Sequence, residues 1–192
     1  MGRLKDKTCL VAAFDTSGVG RACAAMFRAE GAEALIASDR EGDGVAATIN
    51  PTDEGEWMRL REEAGRRSPR LDALVISPPH APDGAMTEVD AEAFKSAVDR
   101  SVVSAFLAMK TFIPLMRDGG GGSIVAIAPE LALGPAAKSF AGSALAGALQ
   151  LFTKSVALEC ARSRMGVRVN SLHADSVVNG ASADDVAAAA VY

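Results

Sequence analysis

The stretch Thr8-Cys9-Leu10-Val11-Ala12-Ala13-Phe14-Asp15-Thr16-Ser17-Gly18-Val19-Gly20-Arg21 decides the architecture. Thr8 to Phe14 is a short apolar run that ends in a turn. Such a run, bounded by turn residues, reads as a strand. From Gly18 to Glu30 the apolar residues Val19, Cys23, Met26 and Phe27 recur at helical spacing, and Gly31 closes the helix. Ala34 to Ala37 is a second short apolar run. A strand, a glycine turn, a helix and another strand open a parallel sheet.

The alternation continues to the C-terminus. Glu41 to Ile49 is a helix candidate weakened by Gly42 and Gly44, and Asn50-Pro51-Thr52 leads into a polar helix through about Arg67 with Thr52 as N-cap. Leu71 to Ile76 is a buried strand. Thr87, with Asp90 three residues on, caps a long helix to about Arg117, with Phe94, Val98, Val102, Phe106, Met109 and Ile113 on one face. Ser123 to Ala128 is a strand, Lys138 to Arg164 a helix, Val167 to Leu172 a strand, and Asp184 onward an alanine-rich helix. This predicts an α/β fold, a doubly wound parallel sheet in three α/β/α layers, Rossmann-like, over one domain spanning 1–192. The third and last strands are expected to be short or missing. Little room lies between Ile49 and Thr52, and the chain ends on a helix.

At 192 residues and net charge −4, with scattered basic residues, the chain is large enough for a sizeable core and poorly suited to nucleic acid or an anionic membrane surface. No apolar run reaches the ~18 residues of a membrane span, and Asp15 and Ser17 interrupt any signal-peptide stretch. Asp6 argues against myristoylation at Gly2. Cys9, Cys23 and Cys160 form no Cys-x-x-Cys pair and sit in apolar segments. They read as buried free thiols of a cytoplasmic protein.

Five segments together resemble the short-chain dehydrogenase/reductase family over nearly the whole chain: Asp15 to Arg21, Leu71-Asp72-Ala73-Leu74-Val75, Gly122-Ser123-Ile124-Val125, Thr153 to Glu159, and Val167-Arg168-Val169-Asn170-Ser171. Asp184 to Ala188 resembles that family's late helix, and the loop before it is short. In the family a tyrosine exchanges the proton at the substrate carbonyl. A lysine four residues later, on the same helix face, tunes the tyrosine and binds the nicotinamide ribose. The matching positions here are Gly142 and Ala146; the catalytic serine matches Pro129, and the helical asparagine matches Ser101. The chain's one tyrosine is Tyr192, so no Tyr-x-x-x-Lys pair exists. The resemblance thus implies a degenerate member, a pseudoenzyme, with no catalytic residues of its own.

The family's cofactor positions are altered as well. Its phosphate turn, Gly-x-x-x-Gly-x-Gly, matches here with Phe14 in place of the first glycine, while Gly18 and Gly20 remain. The phenylalanine is expected to fill the space where the backbone approaches a dinucleotide, and Asp15 adds negative charge at the helix N-terminus. Asn-Asn-Ala-Gly after the fourth strand matches Ile76-Ser77-Pro78-Pro79. The adenine-contacting Asp-Val matches Asn50-Pro51, and Pro-Gly after the sixth strand matches Ala174-Asp175. The NAD-selecting acid matches Ser38, with Asp39 beside it. Phe14, Gly18, Gly20 and Asp39 therefore form a relict turn, and no NAD(P) is expected in this chain. Gly18 and Gly20 also have a packing role that needs no ligand.

Other residues carry less. His80 and His173 lie far apart, and no spacing suggests a metal. His173 fits a structural role. Lys138, Ser139 and Ser143 lack an orienting base, Glu130 reads as a solvated loop carboxylate, and Trp57 as a helix anchor. Family members assemble through the two helices that here span 87–117 and 138–164; the second carries the small residues Gly142, Ala144, Ala146, Gly147 and Ala148. The resemblance implies a hetero-oligomer in which this chain accompanies an active homologous dehydrogenase that holds NAD(P). A hydroxybenzylsuccinyl-CoA dehydrogenase of anaerobic toluene breakdown is one such pairing in the family, although the chain carries no signature of that pathway. An active NAD(P)-dependent oxidoreductase with an atypical site, and a small-ligand-binding regulator, are the alternatives.

Overall fold

Strand β1, Thr8–Ala13, is buried at every residue, because helices cover both faces of the sheet. The structure is a computed structural model that describes residues 2–129, 136–174 and 182–191; nothing is stated of the side chains of Pro129 and Ala174. The elements run β1, α1 (Val19–Ala29), β2 (Glu33–Ser38), β3 (Ala47–Thr48), α2 (Glu54–Arg67), β4 (Ala73–Ser77), α3 (Ala91–Val98), a π-helical turn (Asp99–Val103), α4 (Ser104–Asp118), β5 (Gly122–Pro129), α5 (Phe140–Arg162), β6 (Val167–Ala174) and α6 (Ala183–Ala190). The six strands form one sheet in the order β3-β2-β1-β4-β5-β6, every pair parallel. This is the expected Rossmann-like arrangement.

Alternation along β1 sorts the core into two layers. Leu10 and Ala12 project toward α2, α4 and α5, where they meet Trp57, Leu60, Phe112, Met116 and Leu149. Cys9, Val11 and Ala13 project toward α1 and α6 and meet Cys23, Phe27, Val186 and Ala187. Trp57 is the expected anchor. It is fully buried, its indole N–H donates to the Pro51 carbonyl at 2.9 Å, and its ring meets Phe14 and Phe112 edge-on at 5.9 and 6.4 Å. Truncating such a residue typically costs about 3–5 kcal/mol.

Several boundaries differ from the sequence expectation. Glu41–Ile49 is not a helix: Gly44 takes φ +76°, and the segment yields the two-residue β3, which pairs with Ala37 and Ser38. The third strand is therefore short, as expected, but lies before Ile49 rather than after it. Asp53, not Thr52, caps α2, accepting from the amides of Gly55 and Glu56; the Thr52 hydroxyl is bonded to Asn50 at 2.9 Å. Asp90, not Thr87, caps α3 through the amides of Glu92 and Ala93. The span 87–117 is thus divided into α3, a π-helical turn and α4. Its apolar residues do not share one face. Phe94, Val98 and Val102 pack around Ala141, Leu145 and Phe140, Met109 enters the main core, and Phe106 is 45% exposed. A π-turn rotates the residues that follow it, which breaks the stripe. The helix expected over 138–164 begins at Phe140. No seventh strand occurs among the described residues.

Candidate functional site

In an open parallel sheet, ligands bind beyond the carboxyl ends of the strands where the strand order reverses. Here that point lies between β1 and β4. The Phe14 amide donates to the Ser77 carbonyl at 2.9 Å and ties the two strand ends together.

The turn after β1 is built around Asp15. Its carboxylate accepts from the amides of Val19 and Gly20 at 3.0 and 3.2 Å and from the Ser17 hydroxyl at 2.7 Å. These amides start α1 and have no partner within the helix. The positive end of the helix dipole favours an anion there, and the chain supplies its own. A second anion brought to this turn would meet the carboxylate at the donors it needs. Gly18 takes φ +84°, a conformation most side chains avoid. Gly20 permits close packing, since a Cβ there would lie 2.6 Å from the Ala13 Cβ. The packing role weighed for Gly20 thus has a geometric basis.

Phe14 corrects an expectation. Its side chain does not stand in the turn. It continues the β1 alternation of Leu10 and Ala12 and is fully buried against Trp57.

At the end of β2, Ser38 is 5% exposed and its hydroxyl accepts from the Arg40 amide at 3.3 Å. Asp39 is held by Arg100, which reaches across from the π-helical turn, and Arg40 lies 3.7 Å from its other oxygen. Neither guanidinium was foreseen as a partner. Pro78 and Pro79 follow β4 and offer no amide donor. Asn50 donates its amide to Glu56 at 2.5 Å, and its side-chain oxygen accepts from Thr52.

The four positions that the sequence resemblance sets against catalytic residues are placed as follows. Ser101 sits in the π-helical turn, 2% exposed. Pro129 ends β5, in register with Ala174 of β6. Gly142 and Ala146 lie one turn apart on α5, both buried. Glycine and alanine side chains have no acid or base to exchange a proton, and proline has no amide N–H to give. The Ser104 and Ser143 hydroxyls are buried without a hydrogen-bond partner among the described residues.

Ser139 donates to Asp83 at 3.0 Å, and no hydrogen bond joins Lys138 to Ser139 or Ser143. His80 stands 3.4 Å from Asp83 in an exposed loop. The Ser171 hydroxyl lies 3.0 Å from His173 Nε2 near the end of β6, a pair the sequence reading missed although residues two apart on a strand share a face. Among the described residues no group of three His, Cys, Asp or Glu could hold a metal. Cys9, Cys23 and Cys160 are free and buried. Burial, reinforced by the charge of Asp15, pushes the Cys23 thiol up to about 12. Burial and Asp72 do the same for Cys9, also to about 12. No described helix is long and apolar enough to cross a membrane. Expectations placed on Glu130, Asp175 and Tyr192 lie outside the described residues.

Comparison with known proteins agrees with this fold. A family model described as enoyl-(acyl carrier protein) reductase matches residues 13–191. Cyclopentanol dehydrogenase of Comamonas testosteroni is 28% identical over 187 residues, covering 90% of this chain and 74% of its own. The 7alpha-hydroxysteroid dehydrogenase of Clostridium sardiniense is 29% identical over 189 residues, covering 90% and 71%. Among solved structures, a chain described as a short-chain dehydrogenase/reductase from Burkholderia xenovorans superposes with TM-score 0.83 at 27% identity, covering 100% of this chain and 90% of that one. A short-chain dehydrogenase from Mycobacterium smegmatis gives TM-score 0.89 at 22% identity over 100% and 86%, a likeness of fold alone.

Proposed function

The chain belongs to the short-chain dehydrogenase/reductase family, and we propose that within it this protein is a non-catalytic subunit assembled with an active homologous NAD(P)-dependent dehydrogenase. One observation carries the reading: Gly142 and Ala146, which the family resemblance matches to the tyrosine and lysine of proton transfer, are buried on consecutive turns of α5 and carry no ionisable group. Acid–base catalysis contributes about 10²–10⁴-fold, and these positions supply none of it.

The turn after β1 supports the same reading. A dinucleotide's pyrophosphate needs free amides at the start of α1, and the Asp15 carboxylate holds those of Val19 and Gly20. The acid at the end of β2 is paired with Arg100. The residues present do not fit the cofactor, so NAD(P) belongs to the partner. The outer side of α5 supports assembly: Leu151 is 69% exposed and Leu158 60%, with Phe106 of α4 also exposed. Two large apolar residues a heptad-like seven apart on one helix suit helix-on-helix packing. Three buried free thiols support a reducing, cytoplasmic setting.

Native mass spectrometry of the protein purified from its source cell tests this. The expected species holds a second, catalytic dehydrogenase chain; a homo-oligomer with bound nucleotide would overturn it. A second reading, an active oxidoreductase with an atypical site, is favoured by relatives that are named dehydrogenases. It requires NAD(P)H to bind this chain alone, which titration calorimetry measures.

A further inference from the structure

At the opposite pole, beside the amino ends of β1, β4, β5 and β6, lies a cavity of about 370 Å³. Its floor is apolar. Cys9, Val75 and Val125 belong to the sheet face that α1 and α6 cover, and Phe27 of α1 and Val191 after α6 form its walls. Its rim is basic: Lys7, Arg70 and Arg168 stand there against Asp72 alone, in a chain whose net charge is −4.

The charges on the rim are unequally matched. Asp72 accepts from the Thr8 amide at 2.9 Å and from Lys7 at 3.2 Å, and Arg70 completes its set. The Arg168 side chain has no ion pair or hydrogen bond among the described residues. Its position is also unusual. Val167 and Val169 project into the main core, so strand alternation turns Arg168 to the other face, the one that carries Leu172. In register it stands beside Ser123, two residues before Val125. A guanidinium with no partner among the described residues thus overlooks an apolar floor.

We propose that this cavity binds a small amphiphilic carboxylate, with the head on Arg168 and the apolar body over Val125, Cys9 and Phe27. The planar guanidinium fork matches a carboxylate in two parallel hydrogen bonds. The cavity volume falls in the range of small-ligand sites, about 300–1,000 Å³. The apolar floor suits a hydrocarbon body, which inorganic phosphate lacks.

The test is an NMR titration of the whole chain with octanoate, octan-1-ol and inorganic phosphate in turn. Octanoate is expected to shift the amides of Cys9, Gly121, Val125 and Arg168. It should bind at least about tenfold more tightly than octan-1-ol, the value of a charge-assisted hydrogen bond, while phosphate at equal concentration leaves those amides unmoved. R168Q should weaken octanoate by about the same factor. The octanoate–octanol comparison on the unaltered chain stands even if that variant folds poorly. Absence of octanoate shifts, equal binding of the alcohol, shifts confined to the other pole, matching shifts from phosphate, or a well-folded R168Q with undiminished affinity would each overturn the proposal. Loss or gain of NAD(P)H binding at the β1–β4 crevice bears on neither outcome.

Discussion

Gly20 and Asp15 determine each other's geometry. The Gly20 amide donates to the Asp15 carboxylate at 3.2 Å, and a Cβ on residue 20 would come within 2.9 Å of that same carboxylate. The glycine commonly credited to nucleotide binding here serves a contact inside the protein. Asp15→Ala removes the acceptor from the start of α1. Loss of such a cap costs about 1 kcal/mol, which lowers Tm by about 2–4 °C in a chain of this size. Calorimetric melting measures the loss. The same variant frees two amides for an outside anion, so its affinity for ADP should exceed that of the unaltered chain.

Arg100 and Asp39 form the second internal pairing at this edge. Asp39 is mostly buried and Arg100 is about one-third exposed, at 14% and 31%. A double-mutant cycle with R100A and D39A should give a coupling of about 0.5–1 kcal/mol, in the upper part of the range measured for exposed pairs. Coupling near zero in urea melts would show that the contact organises nothing.

The strand–turn–helix opening was legible because two periods meet at Gly18: apolar continuity before it and helical spacing after it. The caps were misassigned because Thr52 and Asp53, or Thr87 and Asp90, are all capable acceptors, and only the chain's exit angle selects between them. Phe14 illustrates a different error. Matching it to a family glycine placed its ring in the crevice, whereas the alternation of Leu10 and Ala12 already directed it to the core. The Arg100–Asp39 contact joins residues 61 apart, and no local period encodes such a pair. The π-turn left no signal either, since Asp99–Val103 reads as ordinary helix.

Restoring the missing pair should not restore chemistry. Ala146 is fully buried, so Gly142→Tyr with Ala146→Lys forces a long cation and a ring into a packed helix. The expected result is destabilisation of more than about 2 kcal/mol and no carbonyl reduction. A stable double variant with NADH-dependent turnover would mean that the family's cleft persists intact.

The exposed leucines of α5 separate assembly from folding. Leu151→Glu and Leu158→Glu alter a solvated surface, so the isolated chain should keep its stability within about 0.5 kcal/mol. Co-purification of the proposed catalytic partner should nevertheless be lost, as read by size-exclusion chromatography with light scattering. Intact complexes from the doubly substituted chain would exclude this face.

Acid should release the N-terminus at an unusually low pH. The Glu30 carboxylate accepts from the Arg3 amide, from the Arg3 guanidinium and from the Gly2 amide, and these bonds lower its pKa from 4.5 to about 2. A depressed carboxyl pKa stabilises the docked segment fully above the unfolded value of 4.5, and that contribution is lost as pH falls through about 2. Amide exchange of Gly2 and Arg3 should therefore keep its protection down to that range. In E30Q the protection should be weaker at neutral pH and flat across the window, because the amide side chain neither titrates nor draws on the Arg3 charge. Equal pH profiles for the two proteins would assign the docking to the Leu4 amide, which donates to the Glu30 carbonyl at 3.1 Å, rather than to the carboxylate.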